Sequence, residues 1–255
     1  MSAQYQRIGI DLQPAVARIT LNNPPLNVID RDMIDDLSLA LADIERRPGI
    51  LAIVFAGSER VFSSGVDVGS HEPRSFEPML RKFHAVIAAI ANSRKLTMAV
   101  VRRHCLGGGA ELALMCDLIY CCPDAIFGFP EIKLASYAPV AMVALSAVIG
   151  QKRAAELLLT ARTINAQEAL DMGLVNGIAT DPETLLTETL SRVQQFSPAA
   201  LAIAKKAFYA WHAIHFDKGL ARSEEIYINE LMKTEDAKEG IKAFVEKRRA
   251  KWVGK

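Results

Sequence analysis

Three consecutive glycines, Gly107, Gly108 and Gly109, stand just ahead of a lone acid, Glu111, in the stretch RRHCLGGGAELALMCDLIYCC (residues 102–122). The residues around the acid are apolar and helix-forming. A helix that starts near Gly108 has first-turn N–H groups without intrahelical partners and a partial positive charge at that end. Glycine, lacking Cβ, lets a ligand oxygen come close to the backbone. A phosphate loop would need Gly-Lys-Ser/Thr at its end, but Ala110 and Glu111 follow here, and a carboxylate repels a phosphate. An oxygen that is neutral at rest and turns anionic during reaction suits the arrangement, as when a carbonyl becomes an enolate or a tetrahedral oxyanion. Glu111 follows Gly108 by three residues, which puts it on the same side of the first helical turn as a potential acid or base. The competing reading is structural: the glycines permit close packing and Glu111 stabilises a helix N-terminus by about 0.3–1 kcal/mol.

Two other segments carry related chemistry. VFSSGVDVGSH (61–71) is a second small-residue turn that follows an apolar run, and IFGFPEIKLA (126–135) holds another acid, Glu131, after a glycine and a proline.

These turns need elements to position them. AVARITLNN alternates apolar and polar residues as a half-buried strand does. Asp30 is a plausible N-cap for a helix through Met33, Ile34, Leu37, Leu41 and Ile44, which RRPG ends. ILAIVFAGS reads as a fully buried strand, a further helix is expected over roughly residues 76–93, LTMAVVRRHCL reads as one strand entering the glycines, and DLIYCC as another. Beyond residue 140 the pattern turns helical: PVAMVALSAVIG, QKRAAELLLTA, NAQEALDMG, DPETLLTETLSRVQQF, PAALAIAKKAFYAWHAI, GLARSEEIYINELMKT and EDAKEGIKAFVEKRRAKW all read as helices, with only GLVNGIA extended. The chain is thus expected to be α/β over residues 1–195 with a helical C-terminal region over 196–255, some of whose helices are apolar enough to need a partner surface. No long-period repeat is evident.

Composition narrows the function. The chain has 255 residues, 51% hydrophobic and 23% charged, with 30 Lys plus Arg against 29 Asp plus Glu. This balance argues against nucleic acid and against an anionic membrane surface as partners. The N-terminal residues lack the layout of a signal peptide and no apolar run is long enough to span a bilayer. Cys105, Cys116, Cys121 and Cys122 form no C-x-x-C pair and are followed by no histidine at a zinc-finger interval. They read as reduced, buried thiols of a cytoplasmic protein. No metal site is expected.

Taken together, FSSGVDV, LGGGAELALMCD and FGFPEI, in this order, resemble the crotonase superfamily of enoyl-CoA hydratases and isomerases, and the resemblance runs to the terminal AFVEKR. It implies a ClpP/crotonase-like α/β spiral of ββα units over residues 1–195 and a helical oligomerisation region after it, in a homotrimer or homohexamer. It implies an acyl-CoA substrate whose thioester oxygen sits between the backbone N–H groups of Val66 and Gly108, with Glu111 and Glu131 as the two catalytic carboxylates of hydration. Coenzyme A would be part of the substrate, and no separate cofactor is implied. Leu26, Asp67, Val68 and Gly69 match backbone contacts to CoA, and Phe244 and Lys247 would reach it from the C-terminal helices, across a trimer contact in some arrangements. Pro25 stands where many relatives carry Lys or Arg, which leaves open how the CoA phosphates are held.

Within that family, GVDVGSHEP, FHAVI, HCLGGGAELAL and APVA look like the cyclohexa-1,5-diene-1-carbonyl-CoA hydratases of anaerobic benzoyl-CoA degradation. Pro139 replaces a glycine of ordinary enoyl-CoA hydratases and offers no N–H. Phe129, Tyr137 and Pro139 are the expected acyl-pocket residues, with core packing as the competing reading for the two aromatics. Phe129 and ASYAPVA depart from that subgroup, which usually has Gln before PEI and a Gly-Val-Phe-Pro-Pro-like run after it. His71 and His84 help the match and are read equally well as structural or as substrate contacts. Generic enoyl-CoA hydration, isomerisation or thioester hydrolysis, and non-catalytic CoA or RNA binding remain alternatives.

Overall fold

The computed structural model describes residues 5–67 and 76–254, with the side chains of 76 and 211–215 excluded. The first hairpin, β1 (Ile8–Gln13) and β2 (Val16–Leu21), is antiparallel and leads through a loop into α1 (Arg31–Glu45). Asp30 caps that helix as expected, its side chain accepting from Met33 N–H, and the six buried apolar residues of α1 face the core.

Three ββα turns follow, and each places one strand in each of two sheets. The first comprises β3 (Ala52–Ala56), β4 (Val61–Ser63) and α2 (Phe76–Ala91). The second comprises β5 (Leu96–Val101), β6 (His104–Leu106) and α3 (Gly108–Leu114). The third comprises β7 (Leu118–Cys121), β8 (Ile126–Gly128) and a 3₁₀ turn (Pro130–Leu134). After α4 (Pro139–Ile149) and α5 (Gln151–Thr160), the short β9 (Ile164–Asn165) and α6 (Ala166–Met172) lead to β10 (Gly177–Ile178). The chain ends in α7 (Glu183–Val193), α8 (Pro198–Asn229) and α9 (Glu235–Val245). The larger sheet runs β1-β2-β3-β5-β7-β10 and the smaller β4-β6-β8-β9. This is the expected α/β spiral.

The strand expected over LTMAVVRRHCL is two strands in two sheets. The chain turns at Arg102–Arg103, where Arg103 takes a φ of 52°. A single strand there would put both arginines into a sheet, whereas the turn leaves Arg102 to reach Asp181 and Glu59. The apolar run 50–56 is buried on both faces, as its composition requires. One face of β3, β5 and β7 packs into the main core, and Ala52, Val54, Met98, Val100 and Tyr120 on the other are covered by Leu186 of α7.

The two helices expected around residues 198–233 form one continuous α8 of 32 residues. Gly219, which reads as a break in sequence, lies inside it: a Cβ there would stand 2.7 Å from Val143 Cγ1, so the glycine lets α8 lie close against α4. The final helix stops at Val245, short of the stretch to Trp252 read as helical.

Candidate active site

The spiral decides where the chemistry goes. In the small sheet Cys105 pairs with Ser63 and with Phe127, and Leu106 with Gly128, so the ends of β4, β6 and β8 lie side by side. Val66, Gly108 and Glu131 each follow one of these ends by two or three residues. Three corners far apart in sequence therefore meet at one edge of the sheet.

The N–H groups of Val66 and Gly108 are available there. Ile29 forms a parallel bridge with Val66, in which Ile29 N–H donates to Gly65 O at 2.9 Å and Asp67 N–H donates to Ile29 O at 3.1 Å. That pattern uses the groups flanking Val66 and leaves its own N–H facing away from Ile29. Gly108 is the first residue of α3, so its N–H has no intrahelical acceptor. Neither N–H donates to a hydrogen bond among the described residues. The two backbones are close: a Cβ on Gly108 would lie 3.3 Å from Val66 N, and one on Gly65 3.4 Å from Gly108 N. Two N–H donors with unused hydrogen-bonding capacity can hold one oxygen between them.

Glu111 lies one turn further along α3 and is only 3% exposed. Its Oε1 accepts from the backbone N–H groups of Val140 (2.8 Å) and Ala141 (3.0 Å). These belong to the first turn of α4, whose N-cap, Ala138, offers no side-chain acceptor. Glu111 thus performs the capping of a helix to which it does not belong. Burial raises its carboxyl to about 8, nearby Glu131 adds to the rise, and the two N–H donors oppose it. Glu131, on the 3₁₀ turn, is half-buried, and its Oε2 is sealed from solvent with no partner among the described residues. Burial raises it to about 7. Two adjacent carboxyls that both resist ionisation can hold one proton between them near neutrality, which suits one to accept a proton and the other to give one.

A cavity of 70 Å³ joins these groups, lined by Val66, Gly108, Glu111, Glu131, Tyr137 and Pro139. Met79, Leu80 and Phe83 of α2 and Leu134 of the 3₁₀ turn complete its apolar wall. Ser136 of ASYAPVA, Tyr227 of α8 and Ile241 of α9 also line it, and neither Tyr227 nor Ile241 belongs to a sequence motif. The C-terminal region is therefore part of the site's wall. The only sequence signal for Tyr227 is a buried-face aromatic at helical spacing, which any core helix would show.

Phe129 is placed differently from expectation. It is 2% exposed and belongs to the hydrophobic core, outside the residues lining the cavity. The chain turns between β8 and Pro130, sending Phe129 inward and Glu131 to the cavity. Tyr137 and Pro139 do line it.

Leu26 sits beside the 64–67 segment, its carbonyl accepting from Ser64 N–H at 3.0 Å while its side chain is exposed. Asp67 follows directly. Val68, Gly69 and His71 lie outside the described residues. Phe244 and Lys247 line a second cavity of 340 Å³ with Lys133, Leu134 and Arg248. Leu134 borders both cavities, so the end of α9 adjoins the site of its own chain. His84 is buried and pairs through Nδ1 with Glu224 of α8, outside the cavity lining. Among the described residues no cluster of His, Cys, Asp or Glu could hold a metal ion, and no helix is long and apolar enough to cross a membrane. All four cysteines are free and buried.

A two-sheet spiral whose corners gather paired N–H donors and paired acids can hold an oxygen that turns anionic while a proton is moved beside it. The enoyl-CoA hydratase/isomerase family matches residues 11–255, and the chain belongs to that family as an enzyme of the enoyl-CoA hydratase type. It is 32% identical over 247 residues to a cyclohexa-1,5-dienecarbonyl-CoA hydratase of Thauera aromatica, covering 96% of each chain. It is 36% identical over 254 residues to a probable enoyl-CoA hydratase of Rhizobium meliloti (strain 1021), covering 97% of this chain and 98% of that one. The crystal structure of an enoyl-CoA hydratase from Mycobacterium avium subsp. paratuberculosis K-10 superposes with a TM-score of 0.87 at 25% identity, covering 98% and 99% of the two chains.

Proposed function

We propose that the protein adds water to an α,β-unsaturated CoA thioester, and that its acyl group is a cyclic conjugated diene. The observation that supports the hydration chemistry best is the convergence of Glu111 and Glu131 in one buried cavity with the N–H groups of Val66 and Gly108. The thioester oxygen accepts from both N–H groups, which stabilise it as the enolate forms, and one such donor is worth about 3–4 kcal/mol of barrier. One carboxylate takes a proton from water as the water oxygen bonds to carbon. The other carboxyl delivers a proton to the α-carbon as the enolate collapses, so the elements of one water molecule are added in full. The CoA moiety runs past Leu26 and Asp67, with Phe244 and Lys247 at its far end.

The ring reading is supported by the similarity to the Thauera aromatica enzyme and by Pro139 at the cavity, which removes an N–H where α4 begins. Similarity to the Rhizobium meliloti protein favours a linear enoyl-CoA as the second reading. A mass-spectrometric panel of cyclic dienoyl-CoA and linear enoyl-CoA thioesters in ¹⁸O-labelled water decides between them. Uptake of label by the cyclic diene is the expected result, and uptake by crotonyl-type thioesters alone refutes the ring assignment. Exposed Phe196, Ile203 and Phe208 on and beside α8 support assembly into a trimer or a dimer of trimers, which light scattering measures.

A further inference from the structure

Two helices that wall the cavity meet at a carboxylate outside it. Met79, Leu80 and Phe83 of α2 and Tyr227 of α8 line the cavity. His84, the residue after Phe83, is hydrogen-bonded through Nδ1 to Oε1 of Glu224, three residues before Tyr227. Arg81 of α2 approaches the other oxygen of Glu224, Nη1 to Oε2, at 4.0 Å. The His84 hydrogen bond foremost, with the charge of Arg81 assisting and burial opposing, holds Glu224 below the ordinary carboxylate range. The carboxylate therefore accepts, and Nδ1 carries the hydrogen. His84 is 4% exposed, and its Nε2 is sealed from solvent with no partner among the described residues. A leucine would fill such a place without leaving a polar atom unpaired. What the imidazole adds is the bond to Glu224.

The same turn of α8 is tied elsewhere. Ser223 O accepts from Tyr137 Oη at 2.6 Å, and the hydroxyls of Ser136 and Tyr227 are hydrogen-bonded to each other. Two turns of helix earlier, Gly219 lets α8 lie against Val143 of α4. Residues 223–227 are thus seated on the 136–137 loop, and Glu224 joins that turn to α2. Both partners of the loop, Ser136 and Tyr137, line the cavity as well. At 70 Å³ the cavity is smaller than one that admits benzene, which is about 150 Å³. An acyl group as large as a six-membered ring enters only as these walls part.

We propose that His84 and Glu224 are positioning residues of the acyl site: their bond fixes the spacing of α2 from α8 and so limits the size of the acyl group that the site accepts. Neither side chain touches the acyl group, and both act through the apolar residues beside them, His84 through Leu80 and Phe83 and Glu224 through Tyr227. The inference rests on the reading of this cavity as the site of an acyl-CoA thioester.

The test is calorimetric titration with butyryl-CoA, cyclohexanecarbonyl-CoA and free CoA, none of which carries a double bond to hydrate. H84L and E224L break the bond. Each should raise the affinity for the cyclohexane thioester relative to the butyryl thioester by about ten-fold, the scale on which a hydrophobic pocket tells acyl groups apart, with the affinity for free CoA unchanged. Asparagine carries Nδ2 on Cγ where histidine carries Nδ1, and a glutamine carbonyl still accepts, so H84N and E224Q should each return the ratio toward that of the wild type. The double variant H84L/E224L leaves no charge unpaired and guards against single variants that fail to fold. It too should show the shifted ratio. An unshifted ratio in the folded double variant overturns the proposal, as does an equal loss of affinity for all three probes, which is the mark of a structural role. The ¹⁸O panel on the wild-type protein keeps the two readings apart. Hydration with an unshifted ratio refutes only the positioning pair, and a shifted ratio in a protein that hydrates nothing refutes only the hydratase reading.

Discussion

Val140 donates its backbone N–H to Oε1 of Glu111 at 2.8 Å, so the acid of α3 is also the cap of α4. Glutamine at position 111 keeps a carbonyl oxygen for that N–H and for Ala141, whereas alanine leaves both without an acceptor. Glu111→Gln should therefore keep its stability and lose about 10²–10⁴-fold in kcat, the scale of a general acid or base. Glu111→Ala should lose activity equally and unfold at lower urea than the glutamine variant, since a buried donor left unpaired costs about 1–3 kcal/mol. Equal midpoints for the two variants would show that the capping bonds contribute nothing to stability.

Gly107 and Glu131 are related as closely. Gly107 has a φ of 53°, and a Cβ built on it would stand 2.6 Å from Glu131 Oε1. Gly107→Ala brings backbone strain and pushes the carboxylate aside. Turnover should fall at least about ten-fold, the scale on which small misplacements of catalytic groups act. The affinity for free CoA, read by titration, should stay unchanged, because the proposed CoA contacts are elsewhere.

The residues that gather at the strand ends were legible because each is carried by its own short motif. GGGAE and FPEI announce a turn with an acid, and SSGVD a turn with small residues. Their convergence was not legible from any one of them, because the ββα recurrence is a repeat of backbone without a repeat of sequence. The side taken by Phe129 was not legible because an aromatic beside a motif can face the pocket or the core, and only the turn between β8 and Pro130 sends it to the core. Tyr227 was missed because it enters the cavity from a helix nearly a hundred residues beyond Glu131. Its position depends on how α8 packs against α4, and Gly219, read as a break, is what allows that packing.

The raised carboxyls make both activity and stability depend on pH. Burial takes Glu111 to about 8 and Glu131 to about 7, each above the ordinary 4.5. The folded protein then binds more protons than the unfolded chain across this interval. The contribution of the pair to stability is complete below pH 4.5 and is lost as pH rises through 7 to 8. The urea midpoint of the wild type should therefore fall between pH 5 and pH 8.5 relative to that of an E111Q/E131Q variant, which cannot ionise there. The kcat/KM profile should be bell-shaped, with both limbs near neutrality, because one proton shared by the pair is the working state. A profile with its acid limb near 4.5 would contradict a buried, proton-sharing pair.

Gly108 and Val66 give the sharpest test of the paired N–H groups. A Cβ on Gly108 would lie 2.5 Å from Val66 Cγ2 and 3.2 Å from Phe83 Cζ, so Gly108→Ala must displace the Val66 segment. Loss of alignment of one N–H donor should cost about 10²–10³-fold in kcat. Val66→Ala alone removes the methyl groups and keeps the N–H, so its turnover should stay within a few-fold of wild type, whereas Val66→Pro deletes the donor and should be as damaging as Gly108→Ala. The double variant Gly108→Ala/Val66→Ala relieves the nearest clash and should recover part of the lost activity. A double-mutant cycle in kcat with a clear positive coupling supports the geometry. Strict additivity would show that Gly108 acts through something other than its closeness to Val66.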